Sequence, residues 1–362
     1  MKPRLKHKLH DMEPETPPNQ DVAKENPSPE TNKPVEIFAD VPETTVGRKV
    51  PVSAQLGVLL AIMLAIFGAP TFNFLMSQFS FEPNSQAAVV PEVNHENIDD
   101  SLLDPFAHIA VSARSVYVLD VQNRKVLYQK NPDQQLPLAS VTKLMTALVA
   151  SEIVGQSDTV PISTTAILQD GDNGLLAGEK FTLEELLDLT LMSSSNDGAF
   201  AIASAAGALL SANEPAKNFV EAMNIRATEL GLTQTYFRNP TGLDVSENEA
   251  GAYGSAKDIA MLMEYILRHE PEILERTKDD TAVIINEAGA YHEATNTNEV
   301  VNDIPGIIGS KTGYTDLSGG NLAVAFDAGF DRPVVVVVLG STRSQRFSDV
   351  LTLVDAARLA VK

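Results

Sequence analysis

The chain has no cysteine. Disulfide staples, a thiolate nucleophile and Cys-ligated zinc are therefore excluded together. The six histidines, at 7, 10, 95, 108, 269 and 292, show no metal-ligand spacing such as H-E-x-x-H, which argues against a zinc peptidase. No G-x-S-x-G elbow occurs, so an α/β-hydrolase is disfavoured, and no Gly-rich phosphate loop is present. Positive charge is also scarce: 27 Lys and Arg face 48 Asp and Glu, a net charge of −21 over 362 residues. A surface that acidic repels nucleic acid, which needs basic patches for counterion release.

Charge is missing altogether from residues 51–81, and residues 56–76 form the densest apolar run. That is about the 20 residues a spanning helix requires. Pro70 interrupts the run, and the competing reading is a buried core helix ending there. The segment is apolar on all sides and lies between stretches with no folding pattern, which favours one transmembrane helix over residues 51–80. Lys2, Arg4, Lys6, Lys8, Arg48 and Lys49 precede it, whereas Glu82, Glu92, Glu96, Asp99 and Asp100 follow. The positive-inside rule then puts the N-terminus in the cytoplasm and everything after about residue 80 outside. Residues 1–50 carry eight of the 21 prolines and no apolar period, so they are expected to be a disordered cytoplasmic tail. Residues 81–109 are read as a polar extracytoplasmic stalk.

Globular patterning covers residues 110–362. Ser115-Val-Tyr-Val-Leu119 and Val126-Leu-Tyr128 are two short strands in a hairpin. A helix is expected over 140–153, and Thr182-Leu-Glu-Glu185 is a capping box opening another over 183–191. Small residues over 199–206 suggest tight helix packing. Further helices are expected over 219–230, stopped by Gly231, and over 258–267. Strands return at 321–326 and 334–339, the latter an unbroken apolar run that must be buried on both faces, before an amphipathic helix over 347–361. Strands at both ends around a helix-rich middle predict an α+β domain whose one sheet is built from N- and C-terminal segments.

Ser140-Val-Thr-Lys143 is the one S-x-x-K in the chain, at the start of a helix. Residues three apart on a helix are neighbours and lean toward its N-terminus, so the Lys143 amine can reach the Ser140 hydroxyl. Alone the motif is weak, since serine commonly caps helices. Ser194-Ser-Asn196 after an apolar helix and Lys311-Thr-Gly313 before a strand raise its weight. Another S-x-N, Ser246-Glu-Asn248, sits in an acidic loop and is set aside. A lysine base must be neutral, although free lysine has a pKa of ~10.4. Burial and a second cation, supplied by Lys311, are the levers that lower it. In this reading Lys143 is neutral and Lys311 stays protonated, orienting Ser194 and attracting a substrate carboxylate. Ser194 passes a proton to the leaving amine, while Asn196 holds Lys143 and the peptide carbonyl.

The order and context of the three motifs resemble the low-molecular-mass penicillin-binding proteins, serine D-alanyl-D-alanine carboxypeptidases related to class A β-lactamases. Pro137-Leu-Ala-Ser-Val-Thr-Lys-Leu-Met-Thr-Ala147, Met192-Ser-Ser-Ser-Asn-Asp197, Asn239-Pro-Thr-Gly-Leu-Asp244 and Gly309-Ser-Lys-Thr-Gly-Tyr-Thr-Asp316 are similar to that family's strings. The resemblance implies a β-lactamase/DD-peptidase-like fold, with helices flanking an antiparallel sheet and a helical region inserted. It further implies stem peptides of peptidoglycan ending in D-Ala-D-Ala as substrate, covalent binding of β-lactams and no cofactor. It gives the oxyanion hole to the N–H groups of Ser140 and Tyr314, and the substrate carboxylate to Thr312 and an arginine, Arg346 or its neighbour Arg343. Many such carboxypeptidases carry a C-terminal β domain and anchor, whereas this chain stops at Lys362. A D,D-endopeptidase or a β-lactamase with the same site, and a non-catalytic wall-binding scaffold, are the alternatives. The lactamase reading needs a glutamate for deacylation, and Glu221-Ala-Met-Asn224 is the weak match.

Overall fold

The computed structural model describes residues 104–171 and 174–361. The expected tail, membrane span and most of the stalk lie outside them, and no described helix is long and apolar enough to cross a membrane. The strands run β1 (Ser115–Asp120), β2 (Lys125–Lys130), β3 (Leu136–Pro137), β4 (Thr159–Pro161), β5 (Lys180–Thr182), β6 (Tyr236–Phe237), β7 (Ala252–Gly254), β8 (Thr281–Ile285), β9 (Tyr291–Thr295), β10 (Ile307–Thr315), β11 (Gly319–Asp327) and β12 (Pro333–Ser341). The α-helices are α1 (Lys143–Ile153), α2 (Leu183–Met192), α3 (Asn196–Leu210), α4 (Pro215–Glu229), α5 (Ala256–His269) and α6 (Gln345–Ala360).

Five strands form one sheet in the order β10-β11-β12-β1-β2, with every pairing antiparallel. The two ends of the domain thus meet at β1 and β12, as the sequence pattern predicts. Side chains alternate across a strand, so β12 feeds both faces. Val334, Val336 and Val338 join Leu322, Val324 and Phe326 against Phe347, Val350 and Leu353 of α6. Val335, Val337 and Leu339 face the other way, toward the helical layer. Each such side chain, fully buried, contributes about 1.5–3 kcal/mol.

In the helical layer, α1 is central, with ten of its eleven residues buried, so any group it carries at its N-terminus is held in a dry environment. The capping box of α2 forms as expected, Thr182 accepting from the Glu185 N–H. The small residues bring α3 close to its neighbours: a Cβ at Gly207 would lie 1.8 Å from the Pro215 carbonyl oxygen.

Three local features differ from the sequence reading. Ser140 does not open the helix; it lies in a 3-10 turn, Ala139–Thr142, and α1 begins at Lys143. Lys311-Thr-Gly313 lies within β10 rather than before a strand, and its glycines lower the β signal because neighbours pack against bare backbone. A 3-10 segment, Pro271–Lys278, and the β8–β9 hairpin occupy a stretch the pattern left unassigned. Thr281-Ala-Val-Ile-Ile285, rich in β-branched residues, was the available signal for that hairpin.

Candidate active site

The Ser140 turn is gripped between two glycines. A Cβ at Gly242 would lie 1.9 Å from the Ala139 carbonyl oxygen, and one at Gly313 would lie 2.8 Å from that of Leu138 and 3.2 Å from the Ser140 nitrogen. Any side chain at either position would push the turn away. Ala139 itself holds φ +48°, a left-handed conformation that costs a non-glycine residue roughly 1–2 kcal/mol. The strain sits one residue before the serine.

Lys143 is fully buried, and its Nζ lies 2.9 Å from Ser140 Oγ, 2.7 Å from Asn196 Oδ1 and 2.8 Å from the Thr241 carbonyl oxygen. The Asn196 orientation follows from its other end, where Nδ2 donates to the Asp170 carbonyl at 2.6 Å. Asn196 Oδ1 and Thr241 O can only accept, so they take two N–H bonds from the amine. Of the three neighbours, the Ser140 hydroxyl alone can donate. A neutral Lys143 therefore turns its lone pair to Ser140 and accepts that proton. Burial, and then the nearby Lys311 charge, hold the Lys143 pKa well below the ordinary lysine value, which supplies the neutral form.

The Thr241 carbonyl was not among the residues singled out from sequence. Asn239 holds it in place: its Oδ1 accepts from the Gly242 N–H at 2.7 Å and its Nδ2 donates to the Leu243 carbonyl at 2.9 Å. The Asn-Pro-Thr-Gly turn is thus part of the lysine's cage.

Ser194 links α2 to α3. Ser193 ends the first helix, Ser195 caps the second by accepting from the Gly198 N–H, and Ser194 between them has φ +62°. Glycine is the usual residue at such a helix end. The retained hydroxyl receives a hydrogen bond from Lys311 Nζ at 3.0 Å, and Lys311 also donates to the Thr312 carbonyl at 3.1 Å. Burial and the Arg346 charge push the Lys311 pKa down to about 7. The substrate-free lysine therefore gives up its proton far more readily than an ordinary lysine, which bears on the expectation that it stays protonated. An incoming carboxylate restores the charged form.

Thr312 Oγ1 pairs with Thr297 Oγ1 at 2.6 Å. The two arginines separate clearly. Arg346 is buried, donates from Nη1 to the Gly313 carbonyl at 2.8 Å, and among the described residues its Nε finds no acceptor. Arg343 is exposed and stacks 5.2 Å from the Tyr314 ring centre. A buried cation with a spare donor beside β10 suits an anion better than an exposed one. Tyr314 is at the outer end of the same strand, 41% exposed.

The structure therefore gathers Ser140 and Asn196 around Lys143 and joins Ser194 to Lys311, the Lys311 charge being near enough to act on Lys143, with Thr312 and Tyr314 on the same strand as Lys311 and Arg346 bonded to its Gly313 carbonyl. The set-aside motifs fall elsewhere. Ser246 and Asn248 lie in an exposed turn closed on Glu249. Asn224 uses its amide to bind both backbone groups of Phe237, and Glu221 is exposed on the outside of α4.

Comparison with known proteins places the chain in a family. The model of the family Peptidase_S11, D-alanyl-D-alanine carboxypeptidase, matches residues 104–343. The D-alanyl-D-alanine carboxypeptidase DacF of Bacillus subtilis is 34% identical over 257 residues, 69% of this chain and 63% of the relative. This chain thus spans less than two-thirds of that protein's length. A D-alanyl-D-alanine endopeptidase of Escherichia coli is 29% identical over 69% of the chain and 76% of the relative. Among solved structures, a penicillin-binding protein of Listeria monocytogenes in its ampicillin-bound form is 28% identical, with a TM-score of 0.56 over 68% of this chain and 98% of that one. The carboxypeptidase DacD of Francisella tularensis, 24% identical with a TM-score of 0.61 over 69% of this chain and 71% of that one, shares the α+β fold. The chain belongs to the D-alanyl-D-alanine carboxypeptidase family of serine peptidases.

Proposed function

We propose that the chain is a serine D-alanyl-D-alanine carboxypeptidase that trims peptidoglycan stem peptides and is acylated by β-lactams. The observation that carries this reading is the Lys143 amine, whose two other contacts leave its lone pair for the Ser140 hydroxyl. Ser140 Oγ attacks the carbonyl between the two terminal D-alanines as its proton passes to Lys143. The oxyanion forms between the N–H groups of Ser140 and Tyr314, where pre-oriented donors stabilise charge that develops in the transition state. Lys311, Thr312 and Arg346 hold the terminal carboxylate. Ser194 delivers a proton to the departing D-alanine amine and is resupplied through the lysines. Water then cleaves the ester and restores Ser140. A β-lactam presents the same carboxylate and a strained amide, and its leaving nitrogen stays tethered.

A D,D-endopeptidase is the second reading, favoured by the names of the Escherichia coli and Pseudomonas aeruginosa relatives at 29% and 31% identity. Incubating the chain with a D-Ala-D-Ala pentapeptide and with a cross-linked dimer separates the two. Free D-alanine from the first substrate alone is the expected result. Cleavage of the dimer alone identifies an endopeptidase, and turnover of neither identifies a wall-binding scaffold. The β-lactamase alternative loses its glutamate, since Asn224 is occupied in a backbone tie and Glu221 faces solvent.

Residues 51–80 are read as a single-pass cell-membrane anchor that leaves the N-terminus in the cytoplasm and the catalytic domain outside, where its substrate lies. The absence of native cysteine makes this testable. An impermeant maleimide applied to intact cells is expected to label Gln122→Cys and spare Ser28→Cys. The reverse pattern refutes the orientation.

A further inference from the structure

Asn321 lies on β11 directly across the ladder from Gly313 and is fully buried. Its Nδ2 donates to the Pro137 and Leu138 carbonyls, each at 3.0 Å, and its Oδ1 accepts from the Gly340 N–H at 2.8 Å. The amide orientation is unique, because a flip would set its oxygen against two carbonyls and its NH2 against an N–H. Both carbonyls belong to the segment that enters the strained turn at Ala139 and ends in the Ser140 N–H. The same Leu138 carbonyl is the atom that a side chain at Gly313 would strike.

Gly313 thus lets the turn approach β10, and Asn321, reaching from the strand behind, holds it there. We propose that Asn321 is a positioning residue that fixes the spacing of the oxyanion hole, tying the turn that carries the Ser140 N–H to the sheet that carries the Tyr314 N–H. The inference rests on the reading of Ser140 as nucleophile. Asn321 touches no substrate. Its effect is on the distance between two donors, and a misplacement near 1 Å costs on the order of 10²-fold in rate.

The test compares Asn321→Leu and Asn321→Asp with Asp349→Ala in the full chain. Asp349 binds the Ser112 and Ala113 N–H groups and the Ser341 hydroxyl on the α6 side, so its loss weakens the fold without touching the turn. Three quantities are measured: Tm, the separate kcat and KM for a D-Ala-D-Ala peptide, and affinity for a peptide boronic acid with an aminoethyl group at its end. That boronic acid forms a tetrahedral, anionic adduct through a bond from the serine oxygen to boron. The Asn321 variants are expected to lose roughly 100-fold in kcat, with KM within about threefold and boronate affinity falling in parallel with kcat. Asp349→Ala is expected to lower Tm alone. Should Asn321→Leu fail to fold, Asn321→Ser, which keeps one short donor, is judged by the same criterion. Asn321 variants that lower Tm but keep kcat and boronate affinity overturn the proposal. A wild-type chain inert to the boronic acid overturns the nucleophile reading and this proposal with it, whereas wild-type activity with unaltered Asn321 variants overturns this proposal alone.

Discussion

The two faces of the central sheet obey different rules. On the α6 side, Val334, Val336, Val338, Leu322, Val324 and Phe326 make a continuous apolar layer, and the buried acids beside it are fully partnered, Asp349 by three donors and Asp120 by Arg332 and Asn123. On the side of the Ser140 turn, two lysines are buried with neutral oxygens as hydrogen-bond partners, and two non-glycine residues, Ala139 and Ser194, are left-handed. Cations withdrawn from water need not be treated this way: the half-buried Arg226 in the helical layer has Glu152 at 2.7 Å. One face is arranged for stability. The other holds two amines away from water and two serine hydroxyls beside strained backbone, an arrangement that costs stability.

The largest effect belongs to Lys143→Met. Turnover should fall by about 10²–10⁴-fold, the usual worth of a positioned base. Stability should rise, because an apolar side chain replaces a buried amine. The sign follows from linkage: the unfolded chain protonates Lys143 and the folded chain resists it. Native stability therefore climbs with pH from the lowered folded value toward the ordinary one near 10.5. Urea titrations between pH 6 and 9 should show that slope in the wild type and a shallower one in Lys143→Met. A variant that loses both activity and stability would break the comparison.

Next come Ser194→Gly and Ser194→Ala. Both remove the hydroxyl that accepts from Lys311, the proposed proton carrier, and should cut turnover by about 10²-fold. Glycine alone also relieves the left-handed backbone, so Ser194→Gly should exceed Ser194→Ala by about 1 kcal/mol in denaturant stability. Equal stability of the two would remove strain from the account.

Lys311→Arg should act through pH. In the wild type, kcat/KM reports the free enzyme, and loss of the Lys311 proton should draw it down as pH rises through about 7. Arginine stays charged. The alkaline fall should disappear in the variant, a difference of about tenfold by one pH unit above the midpoint. An unchanged alkaline limb would assign it to another group.

The smallest effect on activity is expected from the other face. Val336→Ala should cost about 2 kcal/mol of stability and leave kcat and KM as they are. A drop in kcat would mean the two faces are coupled.

This division also explains what could be read from the sequence. The apolar run 334–339, the hairpin at 115–128 and the capping box at Thr182 are periodic or local signals, and they led to the right sheet and the α+β class. Ser140, Lys143, Ser194, Asn196 and Lys311 stood out because their residue types suit acyl transfer and the motif order is specific, and the hydrogen bonds of Lys143 and Lys311 draw on that same set. Thr241 was not, since it acts through a backbone carbonyl whose direction is set by the Asn239 amide. Asn321 was hidden for a related reason: the two turn carbonyls it binds lie more than 180 residues away, and no local pattern brings them together. The strand at 307–315 was understated because Gly309 and Gly313 answer to close packing, on Thr277 and on the Ser140 turn.

If buried Lys143 makes Ser140 the nucleophile, a β-lactam must end up on that serine. The most direct measurement is peptide mapping by mass spectrometry after exposure of the purified chain to a fluorescent penicillin. The expected result is one adduct carrying the whole penicillin on the peptide that contains Ser140, absent in Ser140→Ala and formed far more slowly in Lys143→Met. An adduct that persists in Ser140→Ala, or forms at the wild-type rate in Lys143→Met, would contradict it.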